Sequence, residues 1–96
     1  MLDEYVVKND EKTAYRIING EAVVVNLKDS TFHTLNPVAT FIWEQANGQI
    51  KAEQIIEKIC EEFEVDWETA KKDCLEFLGE LSRKDLVVLS KNPIEG

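Results

Sequence analysis

The sequence predicts an α+β fold, a three-stranded antiparallel sheet followed by three helices in a winged-helix-like arrangement. Three observations carry that expectation. Residues 14–18 and 21–27 are rich in β-branched side chains and flank Asn19-Gly20, a pair that readily takes the positive φ angles of a type I′ hairpin turn. Three segments of helical periodicity follow. Strands precede helices, without the alternation that a parallel sheet requires.

The elements follow in order. Residues 1–13 carry many charges, and although Tyr5-Val6-Val7 allows a short strand, a loosely held, flexible N-terminal arm is the expected state. The hairpin comes next, then a polar turn at Lys28-Asp29-Ser30-Thr31, then a short third strand over residues 32–35. Asn36-Pro37 changes the regime, because Asn caps helices and Pro suits the first helical position, where no amide partner is needed. Val38, Ala39, Phe41, Ile42 and Ala46 keep the helical period until Asn47-Gly48, which reads as a helix stop. A second helix is expected from about residue 52 to 63, with Ile55, Ile56, Ile59, Cys60 and Phe63 on one stripe. Asp66 caps a third, whose inward face takes Trp67, Ala70, Cys74, Phe77, Leu78 and Leu81. Residues 86–89 close the domain as a short strand, so residues 14–90 form one domain and 91–96 a tail. The helices are expected to lie together on one face of the meander.

Composition narrows function. A chain of 96 residues, 44% hydrophobic and 31% charged, is one small folded domain. Its longest apolar run, residues 22–25, is far short of a membrane span, and no signal-peptide pattern opens the chain. Two cysteines make no disulfide scaffold, so a reduced, cytoplasmic protein is expected. Nineteen acids against eleven bases give a net charge of -8, which repels phosphate backbones and anionic lipid. Residues 44–68 hold eight acids and only Lys51 and Lys58, making the acidic second helix a candidate docking surface. No nucleic acid and no membrane are expected as partners.

Catalytic signals are missing. Cys60 and Cys74 fall on inward stripes and read as small core hydrophobes. His33 is the single histidine, so a zinc site lacks ligands. Glu61, Glu62, Glu64, Asp66 and Glu68 read as a solvated helix end, without the glycine and alternating oxygens of a calcium loop. No phosphate-binding glycine loop or nucleophile elbow occurs. The chain is expected to be no enzyme and to carry no cofactor or metal.

Two features stand apart from packing. The third strand is short and ends at a helix, which places it at a sheet edge, where free N–H and C=O groups template another strand. Leu75 lies about a quarter-turn beside the third helix's apolar stripe, flanked by Lys71, Leu78 and Ser82. An apolar shoulder beside an unpaired edge is what strand addition by a peptide needs.

Phe32-His33-Thr34-Leu35-Asn36, then Ala39, Ile42 and Trp43, resembles the aromatic–Leu-Asn–small–apolar-Trp signature of the PqqD family. Ile55-Ile56, Glu62-Phe63-Glu64-Val65, Asp73, Phe77-Leu78, Leu81 and Leu86-Val87 continue the pattern, from about Tyr15 to Val88. The resemblance implies a winged-helix fold and the role of a RiPP recognition element: a non-catalytic chaperone that holds the leader of a ribosomally made precursor peptide for a modifying enzyme. That enzyme is often of radical SAM type, as in pyrroloquinoline quinone biosynthesis. It further implies main-chain pairing on Thr31, Phe32, His33, Thr34 and Leu35, a groove wall of Lys71, Leu75, Leu78 and Ser82, and contacts from Lys72 and Arg83 to acidic leader residues. Two positions depart from the pattern: Asp29-Ser30-Thr31 and Asp85 stand where relatives often carry Gly. A winged-helix DNA regulator is the rival reading, against which Asp73, Glu76, Glu80 and Asp85 balance Lys71, Lys72, Arg83 and Lys84. A structural homodimer sharing the same edge is a third.

Overall fold

The chain is described here by a computed structural model, which covers residues 1–93. Its elements are β1 (Tyr5–Lys8), β2 (Thr13–Ile18), β3 (Glu21–Asn26), β4 (Thr31–Thr34), α1 (Pro37–Gln45), β5 (Asn47–Lys51), α2 (Ala52–Phe63), α3 (Trp67–Arg83) and β6 (Val87–Ser90). They form the expected α+β fold. An antiparallel meander, β2-β3-β4, is followed by three helices, and a second antiparallel sheet in the order β5-β1-β6 closes the other side.

The local signals act as their chemistry requires. Asn19 and Gly20 take φ of 51° and 82°, the left-handed pair that turns β2 into β3 in register, Ile18 facing Glu21. Asn36 caps α1, its Oδ1 accepting the Ala39 amide at 2.8 Å, and Pro37 occupies the first turn. Asp66 caps α3 by accepting the Thr69 amide at 3.3 Å, and the hydrogen bonds from Thr69 hold its carboxyl below the ordinary value. Ser30, within the Asp29-Ser30-Thr31 turn, and Asp85 both sit at φ 60°. Short polar side chains thus hold the left-handed geometry that glycine would take without strain.

Trp43, Ile42, Ile55, Ile56, Ile59, Leu78 and Leu86 are fully buried and form the centre of the core with Val6 and Val24. Tyr15 from β2 meets the Trp43 ring edge-on at 5.5 Å. The thiol of Cys74 is buried and its pKa pushed up to about 12 by desolvation.

Three expectations are corrected. Residues 5–8 belong to no loose arm: β1 is the central strand of the second sheet, Tyr5 facing Lys51 on one side and Ser90 on the other, with Val6 wholly buried. The arm is tied further by hydrogen bonds from the Ala52 and Glu53 amides to the Glu4 and Leu2 carbonyls. Asn47-Gly48 does not simply stop a helix. Gly48 takes φ 81° and the chain runs on as β5, because β1 offers it an edge to pair with. Trp67, assigned to the core, is 37% exposed, and Phe77 is only half-buried. The buried face of α3 begins at Ala70, and Trp43 is the tryptophan that fills the core.

Candidate functional site

β4 pairs with β3 along one side, Thr34 opposite Val23 and Thr31 opposite Asn26. Among the described residues no strand pairs with its other side. The Leu35 amide donates to the Ala22 carbonyl at 2.8 Å, which sets the alternation of the ladder. His33 therefore spends its backbone groups on β3, the Thr31 amide goes to the Asp29 side chain, and Phe32 and Thr34 turn their N–H and C=O groups to the open side. Their side chains take the outer face of the meander beside Val25 and Val23, where Phe32 is 71% exposed. His33 is half-buried on the inner side.

The turn ahead of β4 holds the edge in place. Asp29 Oδ1 accepts the Thr31 amide at 3.0 Å and the Thr31 hydroxyl at 2.7 Å, and these bonds keep its carboxyl below the usual range. Behind the far end of β4, the buried Thr40 hydroxyl accepts the Ala22 amide and donates to the Leu35 carbonyl, fastening α1 to the meander. The open edge thus stands on a rigid base rather than on a mobile loop.

Across from it runs a groove of about 420 Å³, walled by β4 on one side and by Ala39, Phe77, Glu80 and Leu81 on the other. Thr31, Phe32, His33, Thr34 and Leu35 all border this open region. Arg83 lies at its turn end, with Lys28, Lys84 and Asp85.

The rest of the expected wall is elsewhere. Lys71, Lys72, Leu75, Leu78 and Ser82 do not line the groove. Leu78 has no exposed surface, and Leu75 packs half-buried against the core. At about 100° per residue, Leu75 points roughly 160° away from Phe77 around α3. The helix has two shoulders beside its buried stripe of Ala70, Cys74, Leu78 and Leu81, and the one turned to β4 carries Phe77 and Glu80. In the sequence Phe77 and Leu81 read as core residues, and Ala39 and Glu80 are not among the expected groove residues. The half-polar flank Asp73, Glu76, Phe77, Glu80 is as good an amphipathic shoulder as the Lys71–Leu75 flank.

Among the described residues no group of three or more His, Cys, Asp or Glu is placed to hold a metal ion. No helix among them is long and apolar enough to cross a membrane. Cys74, with its thiol pushed up to about 12, stays protonated and is no nucleophile at neutral pH.

A small α+β domain that leaves one sheet edge open beside a helix-walled groove is a scaffold for strand addition. The family model described as Coenzyme PQQ synthesis protein D (PqqD) matches residues 21–87, and the chain belongs to that family. Among solved structures it is similar to one described as TbiB1 in complex with the TbiA(beta) leader peptide. The two share 30% sequence identity and a TM-score of 0.75 over 84% of this chain and 93% of the other. No curated protein matches the chain.

Proposed function

We propose that this protein is a non-catalytic peptide chaperone. It binds the leader of a ribosomally made precursor as an added strand on β4 and presents the attached core peptide to a modifying enzyme. The carrying observation is the outward-facing backbone of Phe32 and Thr34 beside the Phe77–Leu81 groove, in a chain whose structural relative is described in complex with a leader peptide. Main-chain pairing supplies affinity in such an arrangement, and the groove selects alternate side chains. Tethering then acts by effective concentration: a leader held at the edge keeps its core peptide near the partner's active site. An enzyme of radical SAM type is the partner in keeping with the family, and the reaction itself belongs to that enzyme.

DNA binding is disfavoured by the groove-facing flank of α3, where Asp73, Glu76 and Glu80 would meet phosphates. The test is a titration of the ¹⁵N-labelled protein with the leader segment of a precursor encoded beside its own gene. Amide shifts concentrated at Phe32, Thr34 and Phe77 are expected. Saturable binding whose shifts fall wholly on β1, β5 and β6 would overturn the proposal.

A further inference from the structure

The open side of β4 is charge-polarised. Beyond the α1 end of the strand, the groove continues into a recess walled by Asn36, Ala39, Asp73, Glu76 and Phe77. Asp73 and Glu76 are exposed there and make no ion pair among the described residues. Past the other end, at the turn leading into β4, the groove opens between Lys28 and Arg83, which also make no ion pair among the described residues. The remaining charges along the path are already engaged. Glu80 accepts from Lys84 at 3.0 Å, Asp85 lies 3.8 Å from Lys12, and Asp29 is bonded to Thr31. Two anions without an ion pair among the described residues therefore face one end of the strand edge, and two cations the other, Arg83 also acting at longer range on Glu80, with Phe77, Leu81 and Ala39 between them.

From this polarity, which rests on reading β4 as the peptide edge, we infer that the guest is a segment with its own charge order: Lys or Arg first, an alternating apolar stretch, then Asp or Glu. The direction follows from the sheet. Every pairing in the meander is antiparallel, and a guest that continues the pattern runs opposite to β4. Its N-terminal side then lies against Asp73 and Glu76, and its C-terminal side against Lys28 and Arg83. At about 3.3 Å per residue, a segment running the length of β4 and its flanks separates the two charge groups by roughly six residues. Side chains that face inward from the middle meet Phe77 and Leu81. Those facing outward extend the apolar outer face of Val23, Val25 and Phe32. A segment with the opposite charge order meets like charges at both ends, so the groove rejects a reversed guest as well as attracting the right one.

The experiment selects binders from a displayed library of random peptides of about twelve residues, against the full chain and against a variant with both ends reversed (Asp73→Lys, Glu76→Lys, Lys28→Glu, Arg83→Glu). All four positions are exposed, and circular dichroism checks that the variant folds. Binders of the native chain are expected to carry Lys or Arg before the apolar stretch and Asp or Glu after it. A synthetic representative should bind about tenfold more tightly than the same peptide with its Lys and Glu exchanged. The reversed variant should invert that preference, and raising the salt should shrink it. If the two peptides bind equally, and Thr34→Pro blocks both, the edge reading stands and the charge order is wrong. If no peptide is selected, or if selected peptides still bind Thr34→Pro at full strength, the edge reading itself falls.

Discussion

The Thr40 hydroxyl accepts the Ala22 amide at 2.9 Å in the buried seam between α1 and the meander. The same hydroxyl donates to the Leu35 carbonyl at 3.2 Å, so one side chain satisfies two backbone groups at the end of the proposed binding strand. The Asn36 cap and Pro37 start α1 immediately after β4, and Thr40 locks that junction one turn later. The edge owes its stiffness to this seam.

Thr40→Val keeps the shape and removes the bonds. It leaves the Ala22 amide buried without an acceptor, which costs about 1–3 kcal/mol. Urea unfolding should show that loss as a lower midpoint with an unchanged slope, and a change below 0.5 kcal/mol would mean that the seam relaxes to find another acceptor.

Thr34→Pro removes an N–H that points away from β3. An edge strand tolerates proline there, so thermal unfolding should shift little, and binding of the leader should weaken by about tenfold or more. His33→Pro is the control. It breaks a ladder bond to β3 and should destabilise the fold by about 1 kcal/mol or more.

Phe77→Ala and Leu75→Ala separate the two shoulders of α3. Both remove half-buried apolar surface and lower stability. Only the first strips the groove, and leader affinity should fall by about tenfold, equivalent to about 1.4 kcal/mol, for Phe77→Ala alone. Equal losses from the two variants would return the groove to the Lys71–Leu75 flank.

Cys74 makes stability depend on alkaline pH. Its thiol is raised from 9.0 to about 12 in the folded chain, so the folded state binds the proton more tightly than the unfolded one. The resulting stability is complete below about pH 9 and is lost as pH rises toward 12, because only the unfolded chain ionises there. Cys74→Ala should flatten that part of the stability profile. In the native protein near pH 8, iodoacetamide should modify half-buried Cys60 before Cys74.

Local chemistry was legible wherever one residue's own geometry decides the outcome. Asn19-Gly20 specifies its turn, Asn36-Pro37 and Asp66 specify helix starts, and the Ile55, Ile56, Ile59 stripe specifies the buried face of α2. β1 was not legible in the same way. Four residues are too few to show a period, and Tyr5–Lys8 becomes a strand because β5 and β6, distant along the chain, present edges on both sides of it. β5 is illegible for the matching reason, since its partner β1 carries no period that marks it as a strand.

The amino-acid sequence determined the meander, the three helices, the exposed strand ahead of Asn36 and membership of the PqqD family, because turns, caps and apolar periods act within a few residues. The tertiary structure alone decided which shoulder of α3 looks across at that strand. A helical period marks the buried stripe and leaves two flanks equivalent; the rotation of α3 that buries Ala70, Cys74, Leu78 and Leu81 against the core then turns Phe77 and Glu80 toward β4 and Leu75 away.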